Sequence, residues 1–267
     1  MRMLLRAAVV LLVALISTGC GDDPGPTTAT DPAATTATTT AAEPEAVAPF
    51  LVTEDGEVVV GCFGRTGWPV SVTADGIQGV FTDDDVRAIF AEMLELTDNP
   101  VDLASFLPDG PDTEWRLLRV DGNRYEFGVG PWTADGPGPG GSILNAEDRA
   151  GGWTWTGGGG CEVKPLLEDG HMWLELHGKG LDRTASQPMI EVNEVECTSA
   201  RDPSPYLHDP YVVETDESVT VYWTSTPPQG GQDCPGNPSV SRPLPLSEPL
   251  GDRELLDGST YPPSPVG

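Results

Sequence analysis

Residues 114–129 read EWRLLRVDGNRYEFGV. Two strand-forming runs, 114–121 and 124–129, flank Asp121-Gly122-Asn123, a junction with strong turn chemistry. This predicts a β-hairpin and makes a sheet the organising element of the first half. Upstream lies FTDDDVRAIFAEMLEL, residues 81–96. Val86, Ile89, Phe90, Met93 and Leu96 recur there at helical spacing, and Thr82 is a good N-cap. Asn99-Pro100 restarts a short helix, with Asn as cap, Pro in the first turn and Leu103, Phe106 and Leu107 inward. Residues 57–62 (EVVVGC) and 69–74 (PVSVTA) read as strands around the turn-rich FGRTGW. Residues 131–142 form a Pro/Gly loop. Residues 152–156 and 161–164 are candidate strands on either side of GGGG.

The second half is punctuated by Gly and Pro. Residues 171–177 (HMWLELH) alternate, with Met172, Leu174 and Leu176 on one side and His171, Trp173, Glu175 and His177 on the other. Residues 189–197 alternate with a slip near Asn193, which predicts a bulge. Val219, Val221 and Trp223 share a face of the strand 218–224. Two prolines and GGQDCPGNP make a long turn, and the Pro-rich residues after 258 are expected to fray. The expected fold class is therefore α+β, mostly β. Residues 50–165 form an α+β unit with one clear helix, 166–257 a β-sandwich-like unit, and 258–267 a tail.

The amino terminus carries an address. Arg2 and Arg6 precede ten apolar residues, 7–16, too few to cross a bilayer, which takes about 20. A charged start, a short apolar core and small residues before a cut site describe an export signal. Ser17-Thr18-Gly19-Cys20 resembles the lipobox of bacterial lipoproteins, with Ser17 standing where an aliphatic residue is usual. That resemblance implies a signal peptide over 1–19 and a diacylglycerol on Cys20, and two acyl chains hold a protein on a membrane. Residues 21–49 hold eight Thr, eight Ala and five Pro, with Val47 the sole larger aliphatic, a composition that predicts a disordered tether over 20–49.

The chain holds 14 basic and 42 acidic residues, for a formal charge of −28. Loss of Arg2 and Arg6 with the signal leaves 12 basic residues. This excess of acid argues against nucleic-acid binding, which depends on neutralising phosphates. It also repels an anionic lipid surface. Four cysteines remain beside Cys20: Cys62, Cys161, Cys197 and Cys234. In an exported chain an even count predicts two disulfides. Three pairings are open; Cys62–Cys161 with Cys197–Cys234 is preferred because each closes a loop within one half.

The block CPGNPSVSRPLPLSEPLGDRELLDG, residues 234–258, with ECTSA at 196–200, resembles the C-terminal part of exported actinobacterial lipoproteins of unassigned function. The resemblance implies an envelope protein and supplies no catalytic residue.

Several constellations bear on chemistry. His171, Glu175 and His177 share a strand face, but a regular strand separates the first two by roughly 13 Å, too far for one zinc. Glu175 and His177 could share an ion with help from His208, but an exposed polar face is the favoured reading, and no metal or cofactor is expected. Asp83-Asp84-Asp85 read as helix-capping acids ahead of a calcium site. Trp153 and Trp155 lie two apart on one strand side and form the candidate sugar platform, against the commoner role of aromatics in a core. No Gly-x-Ser-x-Gly, Ser-x-x-Lys or His-Glu-x-x-His occurs, and no carboxylate pair can be named for a glycosidase. The expected function is a lipid-anchored cell-envelope role in binding or support on the outer face of the cytoplasmic membrane, with a cell-wall glycan or envelope protein as partner. The alternative is a cell-wall-acting hydrolase.

Overall fold

The computed structural model describes residues 47–267 except 63–65, 99, 108–109, 111–113, 134 and 139–140. The signal segment, Cys20, the tether up to residue 46, the Asn99 cap and the Phe106 side chain lie outside the described residues. The fold is mostly β, and the described residues carry three helices.

Strands β1 (Thr53–Glu54) and β2 (Glu57–Gly61) form an antiparallel ribbon, and β3 (Trp68–Pro69) pairs with β2. The strand expected over 69–74 is instead the helix α1 (Val70–Asp75). Pro69, with φ −56°, has no N–H for a ladder and is preset for a helix start. The helical turn buries Thr73, whose Oγ1 accepts Trp68 Nε1 at 3.0 Å. Gly76 (φ +70°) then ends the helix where only glycine fits, since a Cβ there would stand 2.9 Å from the Leu117 carbonyl oxygen.

Helix α2 (Asp83–Leu96) opens with a capping box. Asp85 N–H donates to Thr82 Oγ1 at 3.2 Å and Thr82 N–H donates to the Asp85 carboxylate at 2.9 Å. Its three first-turn aspartates also suit the positive end of the helix dipole. Val86, Ile89, Phe90 and Met93 are buried, whereas Leu96 departs from the expected stripe and is 55% exposed at the helix end. Helix α3 (Pro100–Phe106) buries Leu103, and Leu107 just beyond it is buried as well.

The hairpin forms as read. In β4 (Trp115–Asp121) and β5 (Arg124–Val129), Asp121 faces Arg124 across a two-residue turn with Gly122 at φ +61°. The Pro/Gly loop holds a small hairpin, β6 (Trp132–Thr133) with β7 (Gly136–Pro137). Two long strands come next, β8 (Ser142–Arg149), which no sequence signal marked, and β9 (Gly152–Gly160). They complete an antiparallel sheet of order β4-β5-β8-β9. The GGGG run lies inside β9, where a Cβ on Gly158 would meet the Ile143 carbonyl oxygen at 2.4 Å. The strand expected over 161–164 shrinks to β10 (Lys164–Pro165), paired with β2.

One face of this sheet carries Leu117, Phe127, Val129, Leu144 and Ala146, packed under α2 and α3. Part of the other face is covered by Val60, Trp68, Trp132 and Val163, which rest on Leu118 and Ile143. The Cys62–Cys161 disulfide flanks that second cluster.

The second half contains β11 (Met172–His177), β12 (Met189–Glu194), β13 (Tyr211–Glu214), β14 (Ser218–Tyr222), β15 (Thr224–Ser225), β16 (Val240–Pro243), β17 (Glu254–Asp257) and β18 (Ser264–Pro265). Two sheets result, β15-β11-β12-β16 and β13-β14-β17-β18, with β14 and β17 parallel. Leu174, Leu176, Ile190 and Val192 of the first meet Val219, Val221 and Leu255 of the second, closed by Trp223, Leu244 and Leu250. The Cys197–Cys234 disulfide closes the long turn, so the preferred pairing holds for both bridges.

Three expectations for this half change. Trp173, assigned to the polar side of its strand, is buried, because Ala48 and Leu51 cover that side. The bulge near Asn193 is absent: β12 pairs with β11 and β16 in unbroken register. Ile190, Val192 and Glu194 are the successive inward residues, so the slip in hydrophobicity is a buried glutamate, not a break in phase. Glu194 accepts two hydrogen bonds from Arg201 Nε at 3.0 and 3.1 Å and one from Ser225 Oγ at 3.0 Å. Lastly, the tail does not fray. Strand β18 pairs with β17, and Gly178 N–H donates to the Gly267 carbonyl at 2.9 Å.

Hydrogen bonds tie the segment 163–166 to distant parts of the chain. Val52 N–H donates to Leu166 O and Tyr261 N–H to Val163 O, each at 2.9 Å, and Trp173 Nε1 donates to Pro165 O at 3.0 Å. Ala48, a tether residue in the sequence reading, is 1% exposed and packs with Leu51 and Trp173.

Candidate functional site

The sheet β4-β5-β8-β9 leaves one part of its outer face uncovered. Strand alternation puts Arg124 and Glu126 of β5 on that face, because Tyr125 and Phe127 point into the helix-covered core. Register then sets their neighbours. Glu126 stands opposite Arg119 of β4 and Asn145 of β8, and Arg124 stands opposite Asp121 and Glu147. Arg149 and Thr156 complete a groove of about 390 Å³. Three arginines thus gather in one groove of a strongly acidic chain.

Two of them are held by surface pairs: Arg119 with Asp121 at 3.0 Å, and Arg149 with Glu147 at 2.6 Å. Each pair has one half-covered partner, Arg119 in the first and Glu147 in the second, and one exposed partner that a ligand can reach. Arg124 is exposed and has no ion pair among the described residues. Glu126 is the unusual member. It is 7% exposed, and its carboxylate takes part in no side-chain hydrogen bond among the described residues, although its backbone is paired in the sheet. Burial pushes its carboxyl above the usual range, and the charge of Arg119 opposes that only in part. Glu147 moves the other way: hydrogen bonds from Arg149 and Asn123 hold its carboxyl below the usual range. Glu126 and Glu147 are diagonal neighbours on one sheet face, a relation that sets Cα atoms about 7–8 Å apart.

The sequence-derived candidates lie elsewhere. Trp153 and Trp155 flank the helix-covered core; Trp153 packs on Tyr125 at 4.9 Å and edge-on to Phe81 at 5.9 Å. Trp155 Nε1 donates to Gly157 O at 2.7 Å. Both rings are half-buried and add to the core's flank. His171, Glu175 and His177 separate. His177 meets the side chain of Asn193 and lies 3.9 Å from Glu175, whereas His171 turns to His208. Among the described residues, no group of three or more His, Cys, Asp or Glu side chains is gathered to hold a metal.

Further clefts include two that adjoin residues already named. One, about 450 Å³, is apolar and lined by Leu51, Val58, Val70, Tyr222 and Tyr261. The other, about 880 Å³, adjoins His171 and Trp173 and carries Glu162, Glu168, Asp169 and Glu196. Comparison with protein-family models, curated proteins and solved structures gave no match.

Sequence reading missed the groove because its residues come from four strands, one of them unmarked. The one local signal was RYEFGV itself, in which Arg124 and Glu126 alternate with core aromatics.

Proposed function

We propose that the chain is a lipid-anchored protein of the bacterial cell envelope, held on the outer face of the cytoplasmic membrane through Cys20. In this reading it binds an anionic cell-wall glycan in the groove around Glu126 without turning it over. The observation that carries the binding role is the groove itself. Arg119, Arg124 and Arg149 supply planar donors for carboxylate or phosphate groups. Asn145 and Thr156 add groups suited to hydroxyls, and Glu126 offers a carboxyl that retains its proton more readily than usual and can donate. Export is supported by the two disulfides, which persist in oxidising compartments. The lipobox-like STGC supports the anchor.

A second reading is favoured by one feature. Two carboxyls on one groove face with oppositely shifted pKa values are the arrangement of a glycosidase acid and its partner. Glu126 would protonate the leaving oxygen, and Glu147 would act as base or nucleophile.

One experiment separates the two. The chain is mixed with soluble peptidoglycan fragments that carry free carboxylates, and binding and fragment mass are followed together. The binding reading predicts saturable, salt-sensitive binding with fragments intact, weakened at least tenfold by Arg124→Ala combined with Arg149→Ala. Fragment cleavage abolished by Glu126→Gln would replace it with the hydrolase reading. Absence of both would remove the groove from consideration.

A further inference from the structure

We propose that His171 and His208 form a binding site for a divalent transition-metal ion, with copper(II) preferred over zinc(II). The Nδ1 atoms of the two imidazoles face each other at 3.1 Å. Thr224 Oγ1 completes a triangle, 2.9 Å from His171 Nδ1 and 3.0 Å from His208 Nδ1. Two imidazole nitrogens bound to one ion at about 2.0–2.1 Å lie about 2.9 Å apart at a right angle and about 3.3 Å apart at a tetrahedral angle. The observed 3.1 Å falls between these, so a single ion reaches both nitrogens with little movement of either ring.

The surroundings fix the ligands in a usable state. Thr226 Oγ1 lies 2.9 Å from His208 Nε2, placed to accept its proton and leave the Nδ1 lone pair facing His171. His208 is itself held by its backbone: its N–H donates to Thr224 O at 3.0 Å, and its carbonyl accepts Trp223 Nε1 at 2.8 Å. Thr224 is fully buried in β15, paired with β11, and His171 immediately precedes β11. Phe50 stacks on the His171 ring with centroids 5.1 Å apart, fixing its plane. Three elements therefore hold the triangle rigidly, the condition for an organised metal site.

Charge also directs a cation here. The adjoining cleft is lined by Glu162, Glu168, Asp169 and Glu196, and its one cation among the described residues, Lys164, is paired with Glu162 at 2.9 Å. A cleft lined by one sign of charge raises the local concentration of the opposite sign. Two imidazoles and a hydroxyl leave coordination positions for water, and an N,O donor set of this kind ranks copper(II) above zinc(II). His177, on the far end of β11 against Asn193, takes no part.

The test uses the full chain in detergent with its disulfides intact. Copper(II) is titrated calorimetrically, and electron paramagnetic resonance then reads the nitrogen couplings of the bound ion. The expected result is one equivalent bound, coupled to two imidazole nitrogens. His171→Ala and His208→Ala each weaken binding at least tenfold with unchanged near-UV circular dichroism, and His177→Ala binds as the parent does. The resonance spectrum of the unmutated chain keeps the test valid should a histidine variant misfold. Lack of stoichiometric copper binding, coupling to fewer than two imidazole nitrogens, or loss of binding in His177→Ala alone would overturn the proposal.

Discussion

Replacing Arg201 with methionine isolates the most buried charge in the second half. The Glu194 side chain has no solvent exposure and Arg201 has 17%. In the parent, burial pushes the Glu194 carboxyl up, but bonds from Arg201, Thr198 and Ser225 bring it below its ordinary value. Its stabilising share is therefore complete above the unfolded-state pKa and is lost as pH falls through the lower folded value. Arg201→Met leaves a carboxylate buried without its cation, which costs about 3–5 kcal/mol. For a domain of roughly 220 residues each kcal/mol is worth about 2–4 °C, so Tm should fall by about 6–20 °C at pH 7. With the cation gone, burial dominates and the Glu194 pKa rises above its ordinary value. The variant is then penalised above that value, and the deficit shrinks as pH falls toward 4. The double variant Glu194→Leu, Arg201→Met should recover all but about 1–3 kcal/mol, the cost of Ser225 Oγ left without its acceptor. Thermal unfolding followed by circular dichroism at pH 7 and pH 4 reads all three. A loss below about 1 kcal/mol at pH 7, or an equal loss at both pH values, would mean that Arg201 does not neutralise a buried Glu194 carboxylate.

The same geometry sets three further outcomes. In urea unfolding, removing the Cys197–Cys234 bridge, which spans 37 residues, should cost about 4 kcal/mol, and removing Cys62–Cys161, spanning 99, about 5. Thr82→Ala breaks the capping box and should cost about 1 kcal/mol by the same assay, with the fold unchanged. Glu126→Gln should stabilise the chain at pH 7, on the order of 1 kcal/mol, as expected when a group is kept for function. A carboxyl whose folded pKa is raised loses stability as pH climbs past its unfolded value, so this gain should vanish near pH 4.

Helix α2 and the β4–β5 hairpin were legible because each carries its own punctuation, the Thr82 cap in one and the Gly122 turn in the other. What escaped was decided by partners. SILNAEDR became β8 because β5 and β9 flank it on both edges, and the local sequence of Ala146-Glu147-Asp148-Arg149 carries no strand signal of its own. PVSVTA alternates like a strand, but Trp68 reaches Thr73 only if the chain coils. The glycines of β9 lack strand propensity, yet at Gly158 the close approach of Ile143 requires a bare backbone. Glu194 looked like a phase error because its cation, Arg201, lies in a loop outside the strand. The groove was hidden for a like reason: Arg119, Glu126, Asn145 and Arg149 become neighbours only through sheet register.

Intact-mass spectrometry of the protein taken from its native membrane, with and without reduction, tests the envelope assignment most directly. A lipid-anchored, oxidised envelope protein gives a chain beginning at Cys20, heavier by a diacylglycerol, that takes up four hydrogens only on reduction. A chain retaining Met1, with an unmodified Cys20 and four free thiols, would contradict it.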